Sequence, residues 1–424
     1  MSIATQNDLS KYCADVAMRA QAASRILCGL SGAIKNRWLI ESAVRIEQSN
    51  KQILAANQQD LQNAEEFGLT EAEVDRLRLS VERISQIASG LREIAALPDP
   101  VGELIEGSTR PNGLQISKVR VPLGVIFFIY ESRPNVTADA AGIAIKSGNA
   151  IILRGGKEAI HSSRAIVEIM QFVAADFGVP IDAVQLVSTT DREAVGHFLK
   201  LDPWIDLVIP RGGESLIRRV VAEATMPVLK HYDGNCHIYV DDHADLAMSL
   251  RVIENAKCQR MGVCNALESL VIHRKVAQEF LPMLASQLQS HKIELRGDAE
   301  TRTYLPEAVP ATEQDWSREY LGPILSVRIV GSIDEAIEHI NRYSSHHTDG
   351  IMTTELSAAR RFVTLVDSAA VMVNASTRFN DGGQLGMGAE IGISTDKFHA
   401  RGPCGLRELT TYKYVVYGDG HVRT

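Results

Sequence analysis

Short apolar segments alternate with helical patterns over most of the chain, and this alternation limits the possible folds more than any other feature. The earlier segments of strand length read "NAIILRGG", "VQLVSTT", "DLVIPRGG" and "HIYVDD". A second block begins near residue 268 and reads "ESLVIH", "ILSVRIV", "DGIMTT" and "AAVMVNAS". Strands that alternate with helices build parallel β-α-β units. The pattern therefore predicts an α/β fold with two parallel-sheet lobes.

Three regions depart from this alternation. The first hundred residues carry apolar positions at i, i+3, i+4 and i+7, which predicts covering helices without chemistry. The segment "GLQISKVRVPLGVIFFIY" predicts an exposed strand and then a buried one, divided by Pro122 and Gly124. The chain closes on "LTTYKYVVYG", a β-rich tail able to pair with another strand. We expect a small strand extension that serves oligomerisation.

Composition excludes several classes of protein. No apolar run approaches the roughly 20 residues of a membrane helix, and the amino-terminal segment is an interrupted amphipathic pattern rather than a signal peptide. A formal net charge of -8 argues against a nucleic-acid partner. Six scattered cysteines with no Cys-x2-Cys pair offer neither a disulfide framework nor a cysteine-pair zinc site, so we assign no metal. We expect a cytoplasmic protein.

An internal repeat joins an apolar strand to a helix through Arg-Gly-Gly in "IILRGGKEAIHSSRAI" and "VIPRGGESLIRRV". The glycines of the second copy are Gly212 and Gly213. Such turns leave backbone N–H groups at a helix amino end, where a phosphate can bind, although two tight turns without a ligand are an equal alternative. Arg154, Lys157 and Arg211 lie in these turns of an acidic protein and favour an anionic ligand.

The segment "NAKCQRMGVCNALESLVIH" contains the cysteine of greatest chemical interest. The helical pattern before it ends at Gly262 and a strand follows, which places Cys264 in a loop, where reactive groups tend to lie. A thiol needs local help to become a thiolate, and loop N–H groups or Lys257 could supply it. Cys258 falls at the helix end and is expected to be an inert buried thiol.

Polar residues follow the buried strand of "FFIYESRPNVTADAAG". Ser132, Arg133 and Asn135 therefore lie at the carboxyl end of a strand, where open α/β sheets bind ligands, although a plain capped loop explains them as well. In "HYDGNCHIYVDD", His231 is either a base or a satisfied polar residue, and Cys236 is expected to pack in the core.

Four segments resemble the aldehyde dehydrogenase superfamily, and more closely its branch of γ-glutamyl phosphate reductases: "YESRPNVTADAA", "MGVCNALESL", "AIEHINRYSSHHTDGI" and "NDGGQLGMGAEIGISTDKFHARGPCGLRELTTYKYV". The resemblance covers essentially the whole chain. It implies a cofactor (NADPH)-binding domain at 1–107 and 123–231 and a catalytic domain at 232–404. Oligomerisation strands would lie at 108–122 and 405–424.

The resemblance also implies residue roles. Cys264 matches the catalytic cysteine of the superfamily, and Arg154 stands where a lysine usually contacts the adenosine ribose. Lys157 stands where NAD-preferring members often carry a glutamate, so a cation there favours the 2′-phosphate of NADPH. The turn Arg211–Gly213 matches the segment that cradles the pyrophosphate, and Glu319 matches a glutamate that holds the nicotinamide ribose.

The resemblance implies NADPH-dependent reduction of L-glutamate 5-phosphate to L-glutamate 5-semialdehyde through a cysteine thioester. Hydrolytic members carry a water-activating glutamate where this chain has His231, and its loss fits reduction. Asn135 is the expected oxyanion donor. Arg133, Ser132 and His347 are expected to bind the substrate, although the neighbouring histidines of "SSHHTDG" could equally be solvated loop residues.

Partners and rival functions also follow from the resemblance. A homo-oligomer is expected, with functional coupling to glutamate 5-kinase, the supplier of the labile acyl phosphate. One rival is a CoA-acylating aldehyde dehydrogenase that uses the same cysteine. The other is a catalytically silent nucleotide-binding protein with the same fold.

Overall fold

The chain folds into two compact units. The computed structural model describes residues 6–64 and 66–423. The predicted domain ranges also include residues 1–5, 65 and 424, which lie outside the described residues. Unit 1 comprises the described residues up to Lys230, together with Met387–Gly392 and those from Cys404 onward. Unit 2 comprises His231–Gly386 and Ile393–Pro403.

The parallel sheet of unit 1 has the strand order β5-β4-β3-β6. The first six strands of the chain are β1 Leu104–Thr109, β2 Gln115–Pro122, β3 Val125–Ile129, β4 Ala150–Arg154, β5 Val184–Leu186 and β6 Leu207–Pro210. Every residue of β3, β4 and β6 is buried, as expected for strands covered by helices on both faces. The carboxyl ends of these strands consequently share one edge of the sheet.

Amphipathic helices cover this sheet. They are α1 Gln6–Leu27, α2 Gly32–Gln48, α3 Asn50–Gln62, α4 Glu71–Leu77, α5 Val81–Ala96, α6 Pro134–Lys146, α7 Ile160–Phe177, α8 Glu193–Phe198 and α9 Glu214–Glu223. In α5 the Ser80 side chain accepts a hydrogen bond from the N–H of Arg83, and Ile84, Ile87 and Leu91 are buried at helical spacing. The covering role predicted for the first hundred residues is confirmed for these helices.

Unit 2 contains a longer parallel sheet with the order β10-β9-β11-β8-β7-β12-β13. Its strands are β7 Cys236–Val240, β8 Leu267–His273, β9 Glu294–Gly297, β10 Val309–Pro310, β11 Ile324–Val330, β12 Thr348–Met352 and β13 Ala370–Val373. Its helices are α10 Leu246–Cys258, α11 Arg274–Gln289, α12 Thr301–Tyr304, α13 Ile333–Tyr343 and α14 Leu356–Leu365. The helix predicted to reach Gly262 thus ends at Cys258.

Alternate residues of the central strands supply two hydrophobic cores, one on each face of this sheet. Ile238 and Leu270 pack in one core with Phe280 of α11. Tyr239 and Val271, the next residue along each strand, pack in the other. This period of two is the geometry of a strand buried on both faces, and it explains the continuous apolar runs in the sequence.

The remaining strands are short or lie at the surface. They are β14 Gly392–Ser394, β15 Gly402–Cys404 and β16 Thr410–Tyr417. The tail strand β16 pairs antiparallel with β2, and β2 pairs antiparallel with β1. Most of β1 lies before residue 108, where the predicted extension begins. Within the described residues, no helix is long and apolar enough to cross a membrane.

Candidate active site

The amino ends of neighbouring strands in unit 2 bring three chemically active side chains together. His231 precedes β7, Cys264 precedes β8 and His347 precedes β12, and these strands are adjacent in the order β8-β7-β12. Parallel neighbours begin at the same edge of a sheet, so residues as far apart along the chain as His231 and His347 meet there. The Cys264 sulfur and one ring nitrogen from each histidine all lie within 4.8 Å of one another.

The backbone of Cys264 is packed tightly against Gly234. A Cβ atom on Gly234 would lie 1.8 Å from the carbonyl oxygen of Cys264, so only glycine fits there. The Gly234 N–H donates to Glu319 Oε1 at 2.9 Å, and the Cys236 thiol donates to the same Cys264 carbonyl at 3.2 Å. The loop is therefore held from the segment before β7 and, through Glu319, from the segment before β11.

A chain of hydrogen bonds connects the cysteine loop to His347. The Asn265 amide donates to the carbonyl of Asn380 at 3.0 Å, and the Asn380 amide donates to Thr348 Oγ1 at 2.7 Å. His347 Nδ1 lies 2.8 Å from that same hydroxyl. These buried polar groups fix the position of the histidine relative to the loop, because each is costly to leave unsatisfied.

The two histidines of the cluster differ in exposure. His347 is fully buried, so the solvated-loop alternative does not describe it, whereas His231 is half-buried. His231 Nδ1 lies 3.0 Å from the carbonyl of Ile393 and must donate to it. The rings meet edge-on with centroids 5.6 Å apart. His346 takes another direction, with Nδ1 against the carbonyl of Asp367.

Lys257 pairs with Glu268 and not, as the sequence suggested, with the Cys264 thiol. Its ammonium forms a fully buried ion pair with Glu268 at 2.6 Å. Burial lowers the pKa of Lys257 and raises the pKa of Glu268, and each charge opposes that shift in the other. The Glu268 carboxylate also accepts from the Leu321 N–H at 3.1 Å. Lys257 therefore supports the loop that carries Glu319, instead of serving as a cation for Cys264.

The other two cysteines of this region lack the features of a nucleophile. Burial raises the pKa of Cys258 to about 11. Burial and the charge of Asp349 raise the pKa of the fully buried Cys236 well above its usual value. A protonated thiol is a poor nucleophile, so the raised pKa values agree with an inert Cys258 and a packed Cys236. Cys258 is only partly buried, however, because it lies at the end of α10, and the expectation of a buried thiol is wrong there.

Arg378 is a neighbour of the cysteine loop that sequence reasoning missed. Its Nε donates to Gln259 at 2.9 Å, and its carbonyl accepts from the Asn265 amide at 3.5 Å. Burial and the like charge of Arg260 lower the pKa of Arg378, while its charge interaction with Cys264 acts in the opposite direction. The sequence signal that could have identified Arg378 is its position a few residues after β13, a strand of the same sheet.

Unit 1 contains a cavity of about 600 Å³ at the carboxyl ends of its parallel strands. Four of the residues singled out from the sequence line it: Ser132, Arg133, Arg154 and Lys157. Further cations that the sequence analysis did not select also line it, namely Arg76, Arg192 and Arg219. Three glutamates, Glu73, Glu131 and Glu158, also line the cavity, so its six cations outnumber its carboxylates two to one. This excess of positive charge in an acidic protein suits a phosphorylated ligand.

Two of these cations have distinct environments. The Arg154 guanidinium is buried and donates to the carbonyls of Gly155 and Thr190 at 2.6 and 3.0 Å, and burial lowers its pKa. The exposed Lys157 ammonium lies 4.2 Å from the centroid of the Phe67 ring, a cation–π contact. Arg154 thus braces the cavity wall, whereas Lys157 presents a charge at its rim.

The other predicted residues of unit 1 lie around this edge. The Arg211 N–H donates to the carbonyl of Ile129 at 2.7 Å, and Gly213 is the residue before α9. A Cβ atom on Gly212 would lie 3.0 Å from Leu216, so the turn is tight. Asn135 is exposed, and its amide donates to Asp139 at 3.2 Å.

The chain matches a known family over nearly its full length. The model described as "Aldehyde dehydrogenase family" matches residues 10–303 and 303–415, and the chain belongs to that family. Members of this family use a nicotinamide cofactor. The α/β fold predicted from the alternating pattern and the resemblance is confirmed.

Its relatives define the branch. The γ-glutamyl phosphate reductase of Rhodopirellula baltica is 63% identical over 417 residues, which cover 98% of this chain and 96% of the relative. The enzyme of the same name from Moorella thermoacetica is 54% identical, with 96% and 97% covered. A crystal structure of γ-glutamyl phosphate reductase from Thermotoga maritima is 48% identical and covers 97% of this chain and 100% of its own, with a TM-score of 0.96. The chain stands among the γ-glutamyl phosphate reductases of the family.

Proposed function

We propose that this protein reduces L-glutamate 5-phosphate to L-glutamate 5-semialdehyde, with NADPH as the reductant and phosphate as the leaving group. The observation that carries the proposal is Cys264 on a loop, beside two imidazoles, in a chain 63% identical to a γ-glutamyl phosphate reductase. A histidine at position 231 fits reduction, since a water-activating carboxylate there would hydrolyse the thioester. This is the second step of proline formation from glutamate.

Cys264 acts as the nucleophile in this mechanism. Its thiolate attacks the acyl carbonyl, the bond to the phosphate oxygen breaks, and the acyl group remains on sulfur as a thioester. An imidazole of the cluster receives the thiol proton. Phosphate is a stable leaving group, so this step needs no strong general acid.

The residues of unit 1 fit a phosphorylated nicotinamide dinucleotide. We propose that Lys157 binds the 2′-phosphate, that Arg154 lies at the adenosine ribose and that the turn Arg211–Gly213 lies at the pyrophosphate. Glu319 of unit 2 is proposed for the nicotinamide ribose. When bound, NADPH supplies the hydride that reduces the thioester.

The chain's own donors must stabilise the oxyanion that forms on the acyl oxygen when hydride adds to the acyl carbon. We assign this role to the backbone N–H of Cys264 and the amide of Asn135, because donors fixed before the reaction need no reorganisation. When the oxyanion collapses, the bond from carbon to the Cys264 sulfur breaks, so the semialdehyde leaves and the thiolate is restored. Ser132, Arg133 and His347 are proposed as substrate contacts.

Arg378 is proposed as the cation that binds the phosphate group of the substrate. It lies on the segment bonded to Asn265, next to the nucleophile, and a guanidinium matches phosphate with two parallel hydrogen bonds. In the reverse reaction, an Arg378→Gln variant should raise the KM for phosphate about tenfold or more with a smaller change in the KM for the semialdehyde. Equal changes in both constants would contradict this role.

Assembly is a separate proposal. The sheet β1-β2-β16 exposes large apolar side chains, namely Leu104, Tyr412, Tyr414, Val416 and Tyr417. Such a surface favours a homo-oligomer, and light scattering of the Tyr414→Lys variant should show a smaller particle than the unaltered chain. We further propose a cytoplasmic location and functional coupling to glutamate 5-kinase, which would be seen as faster semialdehyde formation when the two proteins are mixed.

The decisive experiment follows the reaction in both directions with purified protein. In the forward direction, γ-glutamyl phosphate should release phosphate as NADPH is consumed. Semialdehyde, phosphate and NADP⁺ should yield NADPH, and the Cys264→Ser variant should lose turnover by several orders of magnitude with unchanged folding. Cys258→Ser is the matched control and should keep its activity. Activity with acyl-CoA alone would favour the CoA-acylating rival, and full activity of Cys264→Ser would place the nucleophile elsewhere.

A further inference from the structure

The three side chains around the nucleophile also have the composition of a metal site. One thiol and two imidazoles form the cluster, from residues far apart in sequence: His231, Cys264 and His347. The absence of a Cys-x2-Cys pair says nothing about such a cluster, because the fold rather than sequence spacing assembles it. Sulfur and imidazole ligands suit Zn²⁺ far better than Mg²⁺ or Ca²⁺.

The distances are close to those that zinc requires. Its bonds of about 2.3 Å to sulfur and about 2.0 Å to nitrogen place tetrahedral ligand atoms roughly 3.3 to 3.6 Å apart. The ligand atoms of the cluster lie within 4.8 Å of one another. Side-chain rotations that move the ligand atoms by about 1 Å would therefore bring them to the separations that zinc requires, without a change in the backbone.

The Nδ1 atom of each imidazole lies against a fixed oxygen, as in metal-binding histidines. A ligating histidine usually donates its other ring N–H to a carbonyl or another fixed oxygen. His231 Nδ1 donates to the carbonyl of Ile393 at 3.0 Å. His347 Nδ1 lies 2.8 Å from Thr348 Oγ1, which the Asn380 amide also holds. Because a carbonyl can only accept, the His231 Nδ1 carries the proton and the lone pair of that ring is on Nε2. The proposal requires the same tautomer of His347, with Nδ1–H donated to Thr348 Oγ1.

We propose that His231, Cys264 and His347 bind Zn²⁺ reversibly through one sulfur and two Nε2 atoms, with the fourth position open to solvent. Cys264 and His231 are half-buried, which gives the ion a route of entry. Arg378 interacts with the Cys264 charge and opposes a cation. Three ligands and that opposing charge should give a site of about micromolar affinity, not a permanent structural zinc.

Occupancy would switch off the reaction of the proposed function, on which this consequence rests. A sulfur lone pair donated to zinc is withheld from the acyl carbonyl, and the ion fills the space in front of the nucleophile. The bound form would also shield the thiol from alkylation and oxidation. Removal of zinc by a chelator restores activity, since no covalent bond of the protein changes.

Metal binding is tested first without any substrate, so that its outcome is independent of the reaction. Titration of the full chain with Co²⁺ should produce the near-ultraviolet absorption of thiolate bound to cobalt, with one ion per chain, and Zn²⁺ should displace it. Cys264→Ala should abolish that band, and His231→Gln and His347→Gln should each weaken Zn²⁺ binding at least tenfold. Cys258→Ser is the control that should leave the band intact.

A second cluster of potential metal ligands could bind the ion instead, and this outcome would contradict the proposal. Asp241, Asp242 and His243 also bring their ligand atoms within 4.8 Å of one another. If His243→Ala removed binding while His231→Gln retained it, the ion would occupy that cluster and the proposal would be wrong. A bound ion with no thiolate band would overturn it equally.

One measurement needs no variant, which guards against misfolding of a chain altered at the buried His347. Iodoacetamide labelling of the unaltered protein, read by mass spectrometry, should be at least tenfold slower at Cys264 when Zn²⁺ is present. Labelling of the exposed Cys28 should not change. Equal rates at Cys264 with and without Zn²⁺ would refute the site. Zinc protection in a protein inactive toward glutamyl phosphate would instead refute the proposed function alone.

Discussion

Gly234 is the position where a single methyl group should cost the most activity. A Cβ atom there would lie 1.8, 2.4 and 2.5 Å from the carbonyl oxygen, carbonyl carbon and Cα of Cys264. Real Cβ atoms essentially never approach another atom within 3.0 Å, so Gly234→Ala must move one backbone segment by about 1.2 Å or more. The contacts are backbone atoms of Cys264, the proposed nucleophile, and no flexible side chain can relieve them by moving.

The expected loss follows from the size of that shift. Misplacement of a reacting group by about 1 Å costs on the order of a hundredfold in rate, which is about 2.7 kcal/mol of transition-state stabilisation. The same change would disturb the hydrogen bond from the Gly234 N–H to Glu319. We therefore expect kcat for NADPH formation from semialdehyde and phosphate to fall about a hundredfold in Gly234→Ala.

Gly262→Ala is the matched control, two residues before the nucleophile. The nearest atom to a Cβ there is the Leu321 carbonyl oxygen at 3.9 Å, so the methyl group has room. Initial rates of both variants should be measured beside their thermal unfolding, because a folded Gly234→Ala protein with low kcat is the predicted result. A kcat within threefold of the unaltered enzyme would show that the loop adapts, and the reasoning from close packing would fail.

Further predictions concern the cofactor, the buried ion pair and one carboxyl group. Lys157→Glu should reverse the preference for NADPH over NADH, measured as the ratio of kcat/KM values, and an unchanged ratio would reject its contact with the 2′-phosphate. Lys257→Met should lower the free energy of unfolding by about 3–5 kcal/mol in urea, because Glu268 is left as an unpaired buried charge, and Lys257→Met with Glu268→Leu should recover part of that loss. Burial raises the pKa of Asp139 to about 6, so the folded state binds its proton more tightly than the unfolded state does. Stability should therefore fall by up to about 2 kcal/mol as pH rises from about 4 to 6, and Asp139→Asn should remove that slope.

The repeated strand pattern was sufficient to predict the fold class because it reports burial directly. The strand β3 is apolar throughout because both faces of its sheet are covered, and every residue of β8 is buried, including Glu268 and Ser269. The order of the strands could not be predicted from the sequence, because it depends on contacts between residues far apart along the chain. The pairing of β7 between β8 and β12, which brings His231, Cys264 and His347 together, is therefore visible only in the structure.

Single residues were predictable where a local signal existed. The loop position singled out Cys264, and the Arg-Gly-Gly turns singled out the cation-rich edge of unit 1. Lys257 was misjudged because its partner, Glu268, lies on a buried strand whose ion pairing the sequence does not display. Arg378 was missed because its segment meets the cysteine loop only after β13 joins the edge of the sheet.

The hydrogen bonds that fix the cysteine loop and its neighbours involve the segments before β7 and β11, the start of β12 and the segment after β13, and this limits how the enzyme can be redesigned. The Gly234 backbone, the Glu319 carboxylate and the Asn380 side chain each fix a different part of the site. Grafting "MGVCN" alone onto another scaffold would transfer the sulfur without its geometry. The transferable module is the whole edge of the sheet, so substitutions tolerated at one of these segments should depend on the residues present at the others.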